Sequence, residues 1–578
     1  MPDSADPHDR LRHARLNRAG GTGMESILDH MAEGRRPWLL LILLCFSLFL
    51  PGIADLPPVD RDEARYVQAT RQMLETGDFV RIRFQDEARN RKPAGVYWLQ
   101  AAAMAVLAGD DRTAVWPARL VSVAGATLAV LLTFGFGAAI FDRRTGLLGA
   151  GLLAVTADLV FEAHVATTDA VLLPAAVAAQ GTLALAYLAE RRHEKLGWGT
   201  ALGFWLAQGL ALMIKGPVVP ALSALTAATL AIADRRVRWL AALRPLVGLP
   251  LAIAVVAPWL VLIQRDTGGQ FLADSVGHDL LGKLIGAQEA HGAPPGSYLA
   301  LLPVTFWPAT LFLGPAVAWT WHSRKLPGSR LLMAWVVPFW VVLELVPTKL
   351  PHYVLPLYPA LALAAARGVL TAAERGPLRT APWLRFVAPL LFVIVGIALG
   401  AAVLALPTLF GLKPTLAGAL AAAGAGATAW QVGAAGRLRA EAEAAPSVIV
   451  AALAVFVCAY GFVLPPLDPI WLSRSAARLV AETRQQGEGL AVVGYAEPSL
   501  VYLTGTDTRL DVATVAASEL ADRKVGLVLV ADGDDEAFRT ALAGRGAKAQ
   551  DLGTARGFDY SNGKFMALHL YRLSGMGD

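Results

Sequence analysis

Long apolar runs recur along most of this 578-residue chain and restrict its fold more than any other feature. A helix that crosses a bilayer needs about 20 mostly apolar residues, and such runs follow one another as far as Pro466. Hydrophobic residues make up 55% of the chain and charged residues only 17%, unlike ordinary soluble domains. The sequence therefore predicts a mostly α, polytopic membrane protein.

Basic clusters in the polar breaks orient the predicted spans, because cytoplasmic loops carry an excess of lysine and arginine. Arg35-Arg36 place the N-terminus inside, and clusters such as Arg143-Arg144 and Arg324-Lys325 fix later inner loops. Thirteen spans result, and the C-terminus lies outside. The spans are predicted near residues 38–56, 114–140, 146–162, 170–189, 197–214, 217–233, 246–264, 298–320, 331–347, 352–372, 385–408, 414–434 and 447–466.

Three segments follow from this pattern. Residues 1–36 lack a helical apolar face and are expected to form a disordered cytoplasmic tail, whereas residues 37–466 form the transmembrane domain. Its first outer loop covers residues 57–113 and includes Ala94–Gly109, which is too short to span and suits an interfacial helix. Residues 467–578 contain short strand-like runs and a helical stretch, and predict a small outer α/β domain.

Ionisable residues gather at the predicted outer ends of the spans. Charges at membrane depth are costly and usually face a cavity or a partner. Their concentration on one side therefore predicts a polar cavity, which would serve an enzyme site or a transport route. The residues concerned are Asp60, Asp62, Glu63, Arg65, Tyr66, Lys92, Asp169, Lys215, His278, Lys349, His352 and Tyr353.

The acidic residues after the first span have a structural explanation as well. Asp60 and Glu63 are spaced as a helix cap, and Gly77 can end the helix that follows. Asp62 then falls in the first turn, where a carboxylate complements the helix dipole. Both explanations stay open at this point.

The basic residues also allow two explanations. Lys92 could extend to the membrane interface, as lysines near membrane edges do, and lone histidines are more often structural than metal ligands. Lys215 and Lys349 lie in apolar surroundings, and with Lys92 they would suit a phosphate or diphosphate. No spacing indicates a metal site, so a divalent metal is unsupported by the sequence. The two cysteines lie in apolar runs and form no disulfide framework.

Several motifs occur in a familiar order. They are DEARY after the first span, KP before an aromatic-rich helix, TTD, KGP, PPGSYL and KLPHYVLPLYPALAL. Together they resemble the C-type integral-membrane glycosyltransferases related to protein O-mannosyltransferases. Within that superfamily they are most similar to the bacterial branch containing the 4-amino-4-deoxy-L-arabinose transferases of lipid A. The likeness runs from about residue 38 to residue 372.

The resemblance implies a polyprenyl-phosphate-linked sugar as donor, such as an undecaprenyl phosphate sugar, and lipid A or lipopolysaccharide as acceptor. It places the active site on the periplasmic face of a bacterial inner membrane, in a probable monomer with no nucleic-acid partner. Asp62 matches the principal catalytic carboxylate, Asp169 a second functional carboxylate and Lys92 the cation on the donor phosphate. Lys349 and Tyr353 match a motif that lines the cavity.

One departure from the family concerns Arg91. Many relatives carry an acidic residue directly before the lysine of the KP motif, so a metal or sugar contact through that acid is in doubt here. Arg91 would suit a uronic acid better than a cationic aminosugar, which makes galacturonosyl transfer an alternative. Arg89 and Arg91 could equally face lipid phosphates.

The expected chemistry is direct, inverting displacement at the anomeric carbon. Lys92 would stabilise the departing phosphate, and Asp62 would act as general base towards a sugar hydroxyl. With a lipid A phosphate as acceptor, Asp62 would orient groups instead. Protein O-glycosylation and a lipid-linked sugar carrier are the competing functions, although a carrier should hold its key charges near the bilayer midplane.

Overall fold

The computed structural model describes residues 23–574, except residues 110, 112, 276, 278–281, 283–291, 377–381 and 436–439. Helices dominate the described chain up to residue 463. They are α1 Gly23–Ala32, α2 Arg36–Phe49, α3 Asp62–Thr76, α4 Gly95–Leu107, α5 Trp116–Ile140, α6 Arg143–Ala154, α7 Ala157–His164, α8 Asp169–Arg191, α9 Trp198–Lys215, α10 Val218–Asp234, α11 Pro245–Asp266, α12 Gln270–Leu272, α13 Ser297–Thr305, α14 Leu313–His322, α15 Pro327–Leu345, α16 Tyr358–Arg375, α17 Pro382–Leu409, α18 Leu416–Ala435 and α19 Ala440–Cys458. A two-stranded hairpin, β1 Arg83–Phe84 with β2 Glu87–Ala88, lies between α3 and α4.

The helices confirm a multi-pass membrane protein. Within the described ranges, seven helices are long and apolar enough to cross a bilayer, and two bent pairs raise this number to nine. The pair α6 and α7 bends by 60°, and the break that separates α13 from α14 bends by 115°. Each of the thirteen predicted spans coincides with a helix or a bent pair, but several of these helices are short. The number of crossings therefore stays a prediction.

Small residues let the central helices approach closely, as is usual where apolar helices pack in a membrane. Gly125 of α5 is an example, because a Cβ atom there would lie 2.5 Å from the carbonyl oxygen of Ala170 in α8. Most of the span of α8 is buried against its neighbours. A central, fully packed α8 gives a rigid support to Asp169 at its first position.

The expectation of a disordered tail is wrong for residues 23–32, which form α1. Leu28 and Ala32 are buried, and Asp29 forms an ion pair with Arg144 at the start of α6. A ten-residue helix is marginal alone, so these tertiary contacts supply the stability that the local sequence does not announce.

The last described segment is an α/β unit, as predicted, with a five-stranded sheet in the order β4-β3-β5-β7-β6. Strand β3 runs parallel to β4 and β5, whereas β7 is antiparallel to β5 and β6. Helices cover both faces, which explains why β3 and β5 are buried along their whole length. The elements are α20 Leu472–Thr483, β3 Leu490–Val493, α21 Pro498–Thr504, β4 Arg509–Asp511, α22 Ala513–Ala521, β5 Leu527–Ala531, α23 Asp535–Gly544, β6 Ala549–Asp559 and β7 Lys564–Leu573.

Asp60 joins this α/β unit to the membrane part, and its predicted role as a helix cap is wrong. Its carboxylate accepts hydrogen bonds from the Ser499 backbone N–H at 2.9 Å and from the Tyr560 hydroxyl at 3.3 Å. The N-cap of α3 is Arg61, and its side chain makes no cap hydrogen bond. Gly77 does end the helix in the left-handed conformation, as predicted. Hydrogen bonds to residues distant in the chain therefore replace the predicted local cap.

The carboxylates of this junction make its stability depend on pH. Burial raises the pKa of Asp60 to about 6, and burial near Asp60 and Asp559 raises the pKa of Glu497 to about 7. A raised carboxyl pKa favours the folded state while the group is protonated, and this contribution is lost as the pH rises through the raised value.

We expect the unfolding temperature of the full-length protein to fall as the pH rises from about 4 to about 7. Asp60→Asn should flatten the lower part of this profile, and Glu497→Gln should flatten the upper part. The exposed Glu87→Gln serves as a control and should leave the slope unchanged. An unaltered slope in both junction variants would contradict the prediction.

Candidate active site

The start of α3 separates two neighbouring carboxylates into different environments. Arg61 takes a positive φ of 69° directly before the helix, a conformation that non-glycine residues adopt rarely. Asp62 follows with its side chain 57% exposed, whereas Glu63 is 2% exposed. Asp62 is thus the acidic residue of the first turn that a substrate can reach.

Glu63 belongs to a buried ion pair with Arg119 of α5. The guanidinium donates to both carboxylate oxygens, at 2.7 and 2.8 Å, and Arg119 itself is fully buried. These bonds give Glu63 a structural set of partners instead of the substrate contact predicted for it. The remaining partners of the pair are the carbonyls of Ile53, Leu56 and Pro57 and the backbone N–H groups of Val59 and Ala166.

Arg89 lies beside Asp62 and was not singled out as a site residue. Its Nη2 is 4.0 Å from the Asp62 Oδ1, and its guanidinium lies 5.1 Å from the centre of the Tyr66 ring. The Tyr66 ring in turn packs 5.2 Å from the Tyr97 ring. Burial raises the pKa of the Tyr66 hydroxyl well above its ordinary value, so this hydroxyl stays neutral and can donate a hydrogen bond.

A second cluster forms around Asp169. Lys215, the last residue of α9, lies 2.5 and 2.6 Å from the two Asp169 oxygens. His352 lies between two carboxylates, with its Nε2 3.7 Å from Asp169 and its Nδ1 3.3 Å from Glu162 of α7. Tyr353 stacks near Lys215, whose Nζ is 5.2 Å from the ring centre. The acidic neighbour that Lys215 lacks in sequence is thus supplied by another helix.

The chain segments that carry the two clusters meet at one close contact. Lys92 comes shortly before Gly95, where a Cβ atom would lie 2.5 Å from the Met213 carbonyl oxygen. This close approach holds the start of α4 against the end of α9, the helix whose last residue is Lys215.

The other predicted residues have different surroundings. Lys349 is buried and donates to the carbonyls of Ala293 and Val346, at 3.0 and 2.5 Å, so its charge serves backbone groups instead of a phosphate. Arg65 is partly buried in α3 and Arg91 is exposed beside Lys92. His278 lies outside the described residues.

The sequence did not indicate Arg119 or Glu162, gave Arg89 only as a possible partner of lipid phosphates, and placed His352 at the outer cavity without a role. Glu162 lies seven residues before Asp169 in the sequence. It belongs to α7, the second helix of the pair that bends by 60°, whereas Asp169 begins α8. The available signal was an ionisable residue inside a predicted span, which marks a functional or paired position. Arg119 within the predicted span 114–140 and Glu162 within 146–162 both carry this signal.

An apolar cavity of about 620 Å³ begins next to this charged region. Three helices that begin or end near the charged residues also line the cavity. Val171 of α8 follows Asp169 closely, Ile214 of α9 precedes Lys215, and Leu99 belongs to α4. A long apolar chain could therefore lie in the cavity with a charged head group at the clusters.

Among the described residues, no group of three or more histidine, cysteine, aspartate or glutamate side chains is placed to hold a metal ion.

Comparisons with known proteins show similarity to membrane glycosyltransferases. Residues 91–262 match the family described as dolichyl-phosphate-mannose-protein mannosyltransferase. The chain also has the fold of ArnT from Cupriavidus metallidurans bound to undecaprenyl phosphate, with a TM-score of 0.71 and 16% identity over 92% of this chain and 97% of that one. By sequence and by fold, this chain is similar to integral-membrane glycosyltransferases. The resemblance predicted from the sequence motifs is confirmed.

Curated relatives lie in the predicted branch. An undecaprenyl phosphate-α-4-amino-4-deoxy-L-arabinose arabinosyl transferase from Pectobacterium carotovorum is 28% identical over 370 residues, which cover 63% of this chain and 64% of that protein. An enzyme of the same name from Pseudomonas paraeruginosa is 29% identical over 340 residues, or 57% and 59% of the two chains. The match thus spans somewhat less than two thirds of these relatives.

Proposed function

We propose that this protein is a glycosyltransferase that moves a sugar from a polyprenyl-phosphate donor to lipid A or lipopolysaccharide. The observation that carries the proposal is an apolar cavity lined by helices α8 and α9, which carry Asp169 and Lys215 at their ends. A polyprenyl phosphate has a long apolar chain and an anionic head, and the two parts of the site match these two parts of the donor. The names of the curated relatives suggest 4-amino-4-deoxy-L-arabinose as the transferred sugar.

Asp62 and Lys92 take the central roles in the proposed reaction. The exposed Asp62 accepts the proton of an attacking sugar hydroxyl, or orients an acceptor phosphate that is already anionic. Lys92 stabilises the charge that develops on the departing polyprenyl phosphate. The carbon–oxygen bond to phosphate breaks as the acceptor oxygen attacks from the opposite face, so the anomeric centre inverts.

The cluster around Asp169 completes the site. Its pairing with Lys215 and the adjacent His352 keeps a charged network beside the anomeric carbon, where it can orient the sugar hydroxyls. Tyr353 supplies an aromatic face next to the same lysine. The site would face the periplasm of a bacterial inner membrane, as the distribution of basic loops predicts.

Mass spectrometry of lipid A and core oligosaccharide tests the proposal. Cells without the gene should lack one sugar that returns with the wild-type gene and stays absent with Asp62→Asn. Purified protein should transfer the same sugar from its polyprenyl phosphate to lipid A. Identical glycans with and without the gene would contradict a lipopolysaccharide acceptor, and donor translocation without transfer would favour a carrier.

A further inference from the structure

Two of the three guanidinium nitrogens of Arg89 lack the hydrogen bonds that such a group requires. Nε and Nη1 are buried and have no hydrogen-bond partner in the described part of the chain, while 12% of the Arg89 side chain is exposed. Buried polar groups are nearly always satisfied, and a charged donor left unpaired is especially costly. Such a group in a packed site needs an explanation.

Asp62 does not meet this requirement. Its Oδ1 lies 4.0 Å from Nη2, which is beyond hydrogen-bond distance and concerns the third nitrogen of the guanidinium. Over half of the Asp62 side chain is exposed to solvent, so water already solvates the carboxylate. The Tyr66 ring contacts the face of the guanidinium and leaves its N–H groups unsatisfied.

A second orphaned donor lies nearby. The Tyr97 hydroxyl is fully buried and has no hydrogen-bond partner among the described residues. Its ring lies 5.2 Å from the Tyr66 ring, and the Arg89 guanidinium lies 5.1 Å from the centre of that Tyr66 ring. Two unsatisfied donors therefore lie beside the candidate catalytic carboxylate, one cationic and one neutral.

We infer that Arg89, with Tyr97, binds an oxyanion of the donor substrate. This inference rests on the proposed function and adds a charge requirement to it. The oxyanion is either the donor phosphate or a carboxylate on the transferred sugar, since both accept charge-assisted hydrogen bonds from arginine. If the oxyanion is the sugar carboxylate, a uronic acid is selected over a cationic aminosugar; if it is the phosphate, every donor gains the contact.

Full-length protein in lipid nanodiscs allows a direct test. Binding of polyprenyl phosphate alone is measured first, followed by transfer from donors that carry a neutral sugar, an aminosugar or a uronic acid. The variants are Arg89→Gln, which loses the charge, and Arg89→Lys, which keeps the charge but loses the planar guanidinium. Arg83→Gln is the matched control, because Arg83 is an exposed arginine of the neighbouring hairpin.

Arg89→Gln is expected to weaken binding by about 10- to 100-fold, with Arg89→Lys between it and the wild type. If the phosphate is the ligand, the affinity for polyprenyl phosphate falls and KM rises for every donor. If the sugar carboxylate is the ligand, only KM for the uronic-acid donor rises. Arg83→Gln should match the wild type in both measurements.

The inference is overturned if Arg89→Gln changes neither the affinity nor any donor KM by more than about twofold. A fall in kcat alone overturns it too, because it would mean that Arg89 only positions Asp62. A melting temperature equal to that of the wild type shows that the variant is folded, and Arg89→Lys replaces it if it is not. Failure of the proposed function looks different, since the wild type itself would then transfer no sugar.

Discussion

Asp62→Asn should lower kcat for sugar transfer by about 100- to 10,000-fold, the range by which a positioned general base accelerates a reaction. The amide keeps the size of the side chain but cannot accept the proton of the acceptor hydroxyl. The donor KM should change little, since the donor phosphate is assigned to Lys92. Initial rates with purified protein, polyprenyl-phosphate donor and lipid A would measure this effect.

The fold should survive this substitution, because the Asp62 side chain is more than half exposed. The matched control is Asp86→Asn, which removes another exposed carboxylate from the same loop and should retain full activity. Full activity in Asp62→Asn would remove the general-base role. A loss much smaller than 100-fold would favour an acceptor phosphate, which needs no deprotonation.

Arg119→Met should have the largest effect on stability. It leaves the Glu63 carboxylate buried without a cation and removes the donor for three backbone carbonyls before α3. Loss of one partner of a buried ion pair typically costs about 3–5 kcal/mol of unfolding free energy. We expect a clearly lower unfolding temperature in detergent and a poor yield of folded protein.

A double variant separates the pair from its surroundings. Arg119→Met combined with Glu63→Gln removes the buried charge and should recover part of the lost stability, so the two effects are not additive. Arg83→Met at an exposed position should leave the unfolding temperature unchanged. An Arg119→Met protein as stable as the wild type would show that water solvates Glu63 and that the pair is not a structural clamp.

The sequence proposed several site residues through order and context, before any contact was known. Asp62, Lys92, Asp169 and Lys215 each border an apolar run, and the structure pairs Asp169 with Lys215 and leaves Asp62 exposed. The assignment of Lys349 and Glu63 to substrate went further than the pattern allowed. Both side chains are engaged by protein groups, which a motif cannot reveal because it does not distinguish a buried structural charge from an accessible one.

Asp60 shows why local rules failed at one position. Its spacing to Glu63 satisfies a capping pattern within one turn. Its hydrogen-bond partners nevertheless lie 439 and 500 residues further along the chain. A tertiary contact of this kind competes with a local one of similar energy and leaves no trace in the nearby sequence.

The sequence by itself determined the helical membrane architecture, because the cost of exposing backbone and charge to lipid acts on each run of about 20 residues separately. It also determined strands β3 and β5 and helix α23 of the α/β unit, whose periodicity is local. The tertiary structure decided which charges pair and which are left for a substrate. Lys215 meets Asp169 and Arg119 meets Glu63 across different helices, whereas the buried N–H groups of Arg89 meet no described partner. Which of these cations is paired depends on the packing of helices that are distant in the chain. Ion pairing requires short distances between side chains, and a single stretch of sequence does not reveal them.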